Sequence, residues 1–324
     1  MSTILVTGAA GFVGSFVASR LAAMGHTVVG ADNFNDYYPV KLKHDRVAAL
    51  LEPAGVTCRT VELSDDAQVR ALFDDVQPEL VVHLAAQAGV RYSITNPQAY
   101  IQSNLVAFGN MLEACRHHKV GHLVYASSSS VYGENAKVPF SEDDVTDAPV
   151  SLYAATKKSN ELMAHSYSKL YQLPATGLRF FTVYGPWGRP DMAYFSFSEK
   201  MLAGETIPVF AGGVLTRDFT YIDDIVEGVV RLLFKPQPGE GKVPHAVFNI
   251  GNHHPVRVLD FIASLERASG IKANMDFLPM QPGDVPATHA DITKLQNWVG
   301  FAPSTPLDDG LQRFFAWYQA WRRG

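Results

Sequence analysis

The sequence lacks the features that mark several large classes of protein. It has only two cysteines in 324 residues, too few for a disulfide framework, and Cys58 and Cys115 both fall in apolar patterns typical of core residues. No apolar run approaches the roughly 20 residues that a transmembrane helix needs. The 27 basic residues are outnumbered by 32 acidic ones, and the net charge of −5 disfavours nucleic acid as a partner. We therefore expect neither a membrane nor a nucleic-acid partner.

Two further absences narrow the chemistry and the location. Four of the eleven histidines form the adjacent pairs 117–118 and 253–254, whose side chains point apart on a helix or strand, so we predict no metal site. The first predicted strand begins by residue 3, which leaves no room for a signal or transit peptide. We expect a cytoplasmic protein.

Short apolar runs alternate with helical stretches through the first 181 residues. The alternation predicts an α/β fold, a Rossmann-type doubly wound parallel sheet. Turn residues and aromatics become dense after residue 182, which indicates a smaller C-terminal substrate-binding lobe over 182–324, with part of about 215–255 returning to the sheet. The predicted strands are 3–7, 26–32, 56–63, 80–85, 121–126, 175–181 and 247–251, and the predicted helices are about 12–24, 65–76, 97–118 and 151–171.

Three glycines follow the first predicted strand and open the first predicted helix. Gly8 permits a tight turn, Gly11 lets the backbone approach a pyrophosphate at the helix N-terminus, and Gly14 allows close contact between helix and strand. The spacing G-x-x-G-x-x-G is weak evidence alone, because it also suits a structural turn. Asp32 ends the second strand, where a carboxylate accepts from ribose hydroxyls and repels a 2′-phosphate, so we predict NAD rather than NADP.

Tyr153 and Lys157 lie four residues apart in a predicted helix, which places them on one face. A free tyrosine is a poor base at neutral pH because its pKa is about 10, and a nearby ammonium lowers that pKa. We predict that Tyr153 moves a proton at a carbinol carbon beside a nicotinamide, with Lys157 keeping the phenol acidic.

The glycine spacing, Ser128 and Tyr153-x-x-x-Lys157 together resemble the extended short-chain dehydrogenase/reductase family, the NAD-dependent epimerases and dehydratases of nucleotide sugars. The runs 32–38 (DNFNDYY), 85–92 (AAQAGVRY) and 185–192 (GPWGRPDM) are similar to the UDP-glucuronate 4-epimerases of that family. The resemblance implies bound NAD, a UDP-sugar substrate, a serine that assists the tyrosine, and a homodimer.

The resemblance also implies where two copies of the chain meet. The helix over 97–118 pairs across a two-fold axis in such a family, and its apolar side carries Tyr100, Leu105, Phe108 and Leu112; packing of that side on the sheet is the alternative.

The resemblance further implies which residues bind each ligand. Besides the glycines, Asp32, Tyr153 and Lys157, the expected cofactor residues are Phe12, Val13, Asn33, Asn35, Glu62, Leu63, Leu84, Ala85, Ala86 and Asn104. The expected substrate residues are Gln87, Arg91, Ser128, Ser129, Ser130, Thr182, Arg189, Arg217 and Asp284.

The serine run 127–130 favours epimerisation over two related reactions. In relatives, the 4,6-dehydratases carry an acid and a base at positions 129 and 130, and the UDP-glucuronate decarboxylases usually carry a glutamate at 130. We therefore predict C4 epimerisation of UDP-glucuronate to UDP-galacturonate through a 4-keto sugar, with Arg189 gripping the C5 carboxylate as a bidentate clamp. UDP-glucose 4-epimerase, UDP-glucuronate decarboxylase and a non-catalytic NAD(H)-binding regulator remain alternatives.

Overall fold

A computed structural model describes residues 1–239, 241–281 and 284–323. None of the helices in these ranges is both long enough and apolar enough to cross a membrane. The strands are β1 (Thr3–Thr7), β2 (Thr27–Asp32), β3 (Thr57–Thr60), β4 (Leu80–His83), β5 (His122–Ser128), β6 (Ala175–Phe180), β7 (Thr182–Tyr184), β8 (Thr206–Phe210), β9 (Thr216–Tyr221), β10 (His245–Ile250), β11 (Pro255–Arg257) and β12 (Asn274–Leu278).

Helices connect these strands and cover both faces of the central sheet. Wider π-helical turns at Val47–Leu51 and Ile101–Val106 extend two of the helices. The helices are α1 (Phe12–Ala23), α2 (Val40–Arg46), α3 (Asp66–Val76), α4 (Tyr92–Thr95), α5 (Pro97–Tyr100), α6 (Ala107–His117), α7 (Leu152–Tyr171), α8 (Ala193–Ala203), α9 (Ile222–Leu233), α10 (Val258–Ser269), α11 (Thr293–Val299) and α12 (Leu307–Arg323).

Seven strands form one parallel sheet in the order β10-β6-β5-β4-β1-β2-β3. The predicted Rossmann-type α/β fold is confirmed. Its central strands are apolar runs buried on both faces, as a sheet with helices on both sides requires. The chain reverses its direction of winding between β1 and β4, and ligands of such sheets bind in the crevice at the carboxyl ends of the strands there.

The C-terminal part contributes to the central sheet and also builds two small sheets. Strand β10 is the outer neighbour of β6, with Phe248 paired to Leu178. Strands β11-β9-β7 form a three-stranded sheet, and β12-β8 form a two-stranded parallel one. One apolar cluster runs from Ile4 and Val6 to Phe219 and Phe314, so both parts of the chain share a core.

The apolar side of the helix predicted over 97–118 faces inward. Tyr100, Phe108 and Leu112 are almost completely buried, and Phe108 and Leu112 belong to the cluster that covers one face of the central sheet. Tyr100, Phe108 and Leu112 are therefore not available for the expected dimer contact, because packing within the chain already removes them from water, whereas Leu105 remains half-buried. For these three residues, packing within the chain is the observed alternative.

A buried ion pair fixes α7 to the central sheet. Arg179 of β6 donates to both carboxylate oxygens of Glu161, each at 2.8 Å, and Ser127 donates its hydroxyl to the same carboxylate at 2.6 Å. Paired and hydrogen-bonded in this way, the two buried charges offset their desolvation. The contact holds the carboxyl end of β5, which carries Ser128, at a fixed position relative to α7.

Candidate active site

The backbone of the glycine loop packs so tightly that Gly8 and Gly14 have no room for side chains. Gly8 has a φ of +68°, and a Cβ there would lie 2.7 Å from the backbone nitrogen of Ala85. A Cβ on Gly14 would lie 2.0 Å from the carbonyl oxygen of Gly8. Gly11 precedes the first turn of α1 and donates its N–H to that same carbonyl at 2.9 Å. The loop thus presents bare backbone and a helix N-terminus to the crevice, which fits the pyrophosphate of a dinucleotide.

This loop forms one end of a cavity of about 450 Å³ at the carboxyl ends of the sheet strands. Of the predicted cofactor residues, the cavity is lined by Gly8, Gly11, Phe12, Val13, Gly14, Asp32, Asn33, Asn35, Glu62, Leu63, Leu84, Ala85, Ala86, Tyr153 and Lys157. Of the predicted substrate residues, it is lined by Gln87, Ser128, Ser129, Ser130, Thr182 and Arg189. The structure therefore brings two separately predicted sets of residues to one place.

Asp32 reaches this cavity with one oxygen already engaged. Its Oδ1 accepts from the backbone N–H of Phe34 at 2.8 Å and from Lys43 Nζ at 3.4 Å. Within the described ranges, no hydrogen-bond donor of the protein reaches Oδ2, so this oxygen is the one that ribose hydroxyls could approach. Glu62 is held differently: Asn33 and Ser64 donate to it, and these bonds lower its pKa although burial opposes them.

Asn104 lies behind the cavity wall rather than in it. Its Oδ1 accepts from the backbone N–H of Gln87 at 2.8 Å, and its Nδ2 donates to the carbonyl of Gln87 and to the Thr156 hydroxyl, each at 3.0 Å. Both ends of the amide are thus occupied by protein. The structure places this residue as a support that ties the segment after β4 to α7, and not as a group that faces a ligand.

Tyr153 sits in the first turn of α7, which begins after Ser151 accepts the backbone N–H of Ala154 at 3.1 Å. The expectation of a lowered pKa at this phenol is wrong for the protein alone. Burial raises the pKa of Tyr153 above its usual value, and the Ser128 hydroxyl and the Arg189 cation lower it by less. The groups that favour the phenolate are therefore Ser128 and Arg189, and burial outweighs them.

Lys157 is almost fully buried one turn further along α7. Its Nζ donates to the carbonyl of Ala126 at 3.0 Å, two residues before Ser128. Burial lowers the pKa of Lys157 from 10.5 to about 7, because the charged form loses its hydration. Burial therefore makes this amine easier to deprotonate than a lysine in water.

Arg189 lines the cavity, and its guanidinium is held side-on by a neighbouring carboxylate. Nε donates to Asp191 Oδ1 at 3.0 Å and Nη2 donates to Oδ2 at 2.5 Å. Burial opposes its charge, but Asp191 outweighs that effect and raises the pKa of Arg189. This pair occupies the edge formed by Nε and Nη2, whereas the edge formed by Nη1 and Nη2 can still bind a second carboxylate.

The remaining predicted substrate residues lie beside the main cavity. Arg217 and Asp284 line a smaller cavity of about 160 Å³, which shares Ser129, Ser130 and Thr182 with the larger one. Arg217 and Arg91 each approach Asp284 at 3.8 Å. Arg91 lines neither cavity and is mostly exposed, with its guanidinium over the ring of Phe210. Arg91 is thus the predicted substrate residue that the structure does not place in the wall of either cavity.

Asp218 does not pair with Arg217, although the two residues are adjacent in β9. Its buried carboxylate accepts backbone N–H groups from Asn252, His253 and Ala290 at 2.7 to 3.1 Å. Burial raises its pKa, and these bonds oppose the rise. In the part of the chain that the structure describes, the polar partners of Arg217 are Asp284 and the carbonyl of Thr216.

Sequence reasoning missed several residues of the site. Tyr37, Tyr38, Lys43 and Asp191 all line the cavity, and Tyr37 donates to Asp191 at 3.2 Å. Tyr37, Tyr38 and Asp191 stood inside runs that resemble the family and could have been found there. Lys43 lies outside those runs, and no spacing or pattern distinguishes it from its neighbour Lys41.

A fully buried arginine joins the two ends of the cavity. Arg46 of α2 donates to the carbonyl of Ala10 in the glycine loop at 3.1 Å. It also donates to the carbonyls of Trp187 and Gly188 at 2.9 and 3.0 Å and to the hydroxyl of Tyr38 at 2.7 Å. The loop next to the pyrophosphate position and the loop that carries Arg189 are therefore bound to one guanidinium.

Comparison with known proteins agrees with this geometry. The chain belongs to the NAD dependent epimerase/dehydratase family, whose pattern it matches over residues 4–251. It is 48% identical over 333 residues to the probable UDP-glucuronate 4-epimerase of Rhizobium meliloti (strain 1021), covering 98% of both chains. It is 51% identical over 329 residues to UDP-glucuronate 4-epimerase 2 of Arabidopsis thaliana, covering 98% of this chain and 75% of that one.

A solved structure is similar along the whole chain. It is the UDP-glucuronic acid 4-epimerase of Bacillus cereus in complex with UDP-glucuronic acid and NAD. The TM-score is 0.90 at 36% identity, and the match covers 98% of this chain and 99% of that one. The whole architecture, and not only the dinucleotide-binding half, is therefore shared with a sugar-nucleotide epimerase.

Replacing Ser128 with alanine should move the pH profile of turnover to higher pH. The Ser128 hydroxyl lowers the pKa of Tyr153, so its loss raises that pKa and reduces the phenolate fraction at any given pH. Initial rates with a UDP-sugar, measured across pH, should fall most on the acidic side and recover as pH rises. Ser159→Ala is the matched control, because that hydroxyl bonds only within α7. A uniform loss at every pH would contradict this role.

Proposed function

We propose that this chain catalyses the reversible C4 epimerisation of UDP-glucuronate and UDP-galacturonate with NAD as its cofactor. The observation that carries the proposal is the meeting of Tyr153, Lys157 and Ser128 with the glycine loop around one cavity. Relatives with about half of their residues identical along the whole chain, named as UDP-glucuronate 4-epimerases, support the substrate.

The residues of this chain suit the proton transfers that such a reaction needs. NAD bound along the glycine loop would accept a hydride from C4 and return it. Tyr153 removes the proton of the 4-hydroxyl and gives it back after the keto sugar has turned its other face. Ser128 hydrogen-bonds the same oxygen, which orients it toward the phenol. Lys157, fixed to the carbonyl of Ala126, contributes positive charge near the phenol whenever it is protonated.

A uronate substrate places an extra demand on the site. A ketone at C4 beside the C5 carboxylate makes a β-keto acid, which tends to lose carbon dioxide. Arg189 can hold that carboxylate by the edge of its guanidinium that Asp191 leaves free, with Thr182 and Ser129 nearby on the cavity wall. The clamp keeps the carboxylate out of the orientation that feeds electrons into the ketone.

The uridine diphosphate is assigned to the smaller neighbouring cavity. Arg217 is three-quarters or more buried there and has only Asp284, at 3.8 Å, as a carboxylate partner within the described ranges. Burial lowers the pKa of Arg217, and Asp284 opposes that effect. A diphosphate would supply the negative charge that this partly desolvated cation lacks. The proposal places the NAD-binding unit in residues 1–181 with β10, and the UDP-sugar lobe mainly in 182–324.

A homodimer in the cytoplasm is also proposed, through a surface other than the one first expected. Leu162 and Leu170 of α7 are 61% and 66% exposed, and Val106, which directly precedes α6, is 38% exposed. Leu162 and Leu170 lie on α7, and Val106 ends the π-helical turn that leads into the neighbouring α6, so pairing with a second copy would bury all three. The two unbonded cysteines suit a reducing compartment.

The proposed reaction is tested by incubating the purified protein with UDP-glucuronate, without added NAD, and identifying the sugar by NMR. UDP-galacturonate should accumulate until a fixed ratio is reached from either direction. Tyr153→Phe should lower turnover by about 100-fold or more, because it removes the acid-base group while keeping the ring. A pentose product would instead identify a decarboxylase, and equal turnover by Tyr153→Phe would contradict the mechanism.

Arg189→Ala should reduce turnover of UDP-glucuronate far more than any turnover of UDP-glucose. Loss of a charged, bidentate contact costs about 1.5–3 kcal/mol, which is roughly 10- to 100-fold in kcat/KM. The ratio of kcat/KM for the two substrates is the readout. Arg257→Ala, which breaks an exposed pair with Asp260, is the matched control and should leave that ratio unchanged. Equal losses for both sugars would rule out the clamp.

Replacing Leu162 and Leu170 with aspartate should convert the dimer to a monomer. Charges buried in an apolar contact without partners are strongly unfavourable, whereas on an exposed surface they cost little. Light scattering after size exclusion measures the mass directly. Replacing Val214, which is 66% exposed on a different part of the surface, is the control. A wild-type mass of one chain would dispose of the dimer.

A further inference from the structure

Lys43 is a buried cation in the proposed cofactor site for which the reaction has no use. It lies in α2, is only 4% exposed, and lines the cavity together with Asp32. Its Nζ donates to Asp32 Oδ1 at 3.4 Å and to Asn35 Oδ1 at 3.2 Å. An ammonium has three N–H groups, and these two contacts leave the third for a ligand. A cation is thus fixed beside the carboxylate that is expected to hold the adenosine ribose.

This pairing changes the charge at the ribose end of the cavity. Asp32 alone would present a full negative charge, which repels a 2′-phosphate and selects NAD. With Lys43 beside it, the buried pair is neutral overall. Rejection of NADP therefore depends on how the two groups are arranged: the carboxylate faces the ribose position while the ammonium is held back by Asp32 and Asn35.

The other charged groups near this place are already engaged. Lys43 and Arg46 both lie over the Tyr38 ring, at 5.4 and 5.3 Å from its centre, but Arg46 donates to backbone carbonyls and to the Tyr38 hydroxyl. Glu62 accepts from Asn33 and Ser64. Among the described residues that line this end of the cavity, Lys43 is therefore the cation that can respond when the charge at position 32 changes.

We propose that Lys43 is a specificity-determining residue for the dinucleotide. Held by Asp32 and Asn35, its ammonium supports the carboxylate that binds ribose hydroxyls. When the negative charge of Asp32 is removed, the ammonium becomes a binding group for the 2′-phosphate of NADP. This inference rests on the proposed NAD site and extends it to the choice between the two dinucleotides.

The test is a competition for binding that does not depend on turnover. Each protein is incubated with equal concentrations of NAD and NADP, free nucleotide is removed, and the retained nucleotides are released by denaturation and quantified. Wild-type protein should retain mainly NAD. Asp32→Asn keeps the shape of the side chain and should raise the ratio of NADP to NAD by about 10- to 100-fold, the range for a hydrogen bond between charged groups.

Variants of the lysine decide whether Lys43 causes that change. Adding Lys43→Met to Asp32→Asn should abolish most of the gain, and Lys43→Arg should keep it, because arginine also binds phosphate. Lys41→Met in the same background is the matched control, since Lys41 lies on the exposed side of α2 and pairs with Asp45. Thermal unfolding shows whether each variant is folded.

The outcomes separate this inference from the proposed function. If Asp32→Asn with and without Lys43→Met retains the same ratio of NADP to NAD, the role of Lys43 is overturned while the NAD site stands. If wild-type protein retains neither nucleotide, the proposed cofactor site fails and the inference fails with it. Loss of the NADP gain when Lys43→Met, but not Lys41→Met, is added to Asp32→Asn supports the proposal.

Discussion

The site depends on how α7 is held against β5. Lys157 reaches from the helix to the carbonyl of Ala126, and one turn later Glu161 accepts from Ser127 and Arg179. These two contacts fix both the rotation and the height of the helix relative to the strand. These contacts also set the positions of Tyr153 and Ser128, because Tyr153 lies four residues before Lys157 and Ser128 directly follows Ser127. Replacing Lys157 or Glu161 would therefore shift the position of the Tyr153 phenol, even though Glu161 makes no contact with that phenol.

Burial shifts the pKa values of both Lys157 and Tyr153. It brings the amine of Lys157 to a pKa of about 7 and raises the pKa of Tyr153, so neither group is poised for catalysis by burial alone. The Ser128 hydroxyl and the Arg189 cation lower the pKa of Tyr153 in part, but burial outweighs them. Arg189 lowers the pKa of the phenol, and under the proposed function it would also bind a substrate carboxylate. Its contact with Asp191 keeps this charge in place when no ligand is bound.

Much of the fold and part of the site could be predicted from the sequence, for identifiable reasons. Buried parallel strands are apolar runs that alternate with helices, so their order and approximate positions were clear. Their ends were not: β5 continues to Ser128 beyond the predicted residue 126, and β3 covers only Thr57–Thr60 of the predicted 56–63. Hydrogen bonding to neighbouring strands sets those limits, and a single strand's composition does not reveal it.

Side-chain contacts between distant segments were the part that could not be predicted. Composition showed that the helix over 97–118 has an apolar side, but not that α3, α7 and the sheet would cover it. The side-chain amide of Asn104 could hydrogen-bond a ligand, but it hydrogen-bonds Gln87 and Thr156 instead. No sequence pattern marks Lys43, because its place in the site depends on an ion pair with Asp32, eleven residues earlier at the end of β2.

The guanidinium of Arg46 has a mechanical consequence. Its flat group binds carbonyls from the loop after β1 and from the loop before α8, and within the described ranges no carboxylate is among its partners. Pulling the loops apart would strand a buried cation, at a cost of several kcal/mol. The two loops consequently behave as one rigid wall, and any entrance for large ligands must open along a different edge of the crevice.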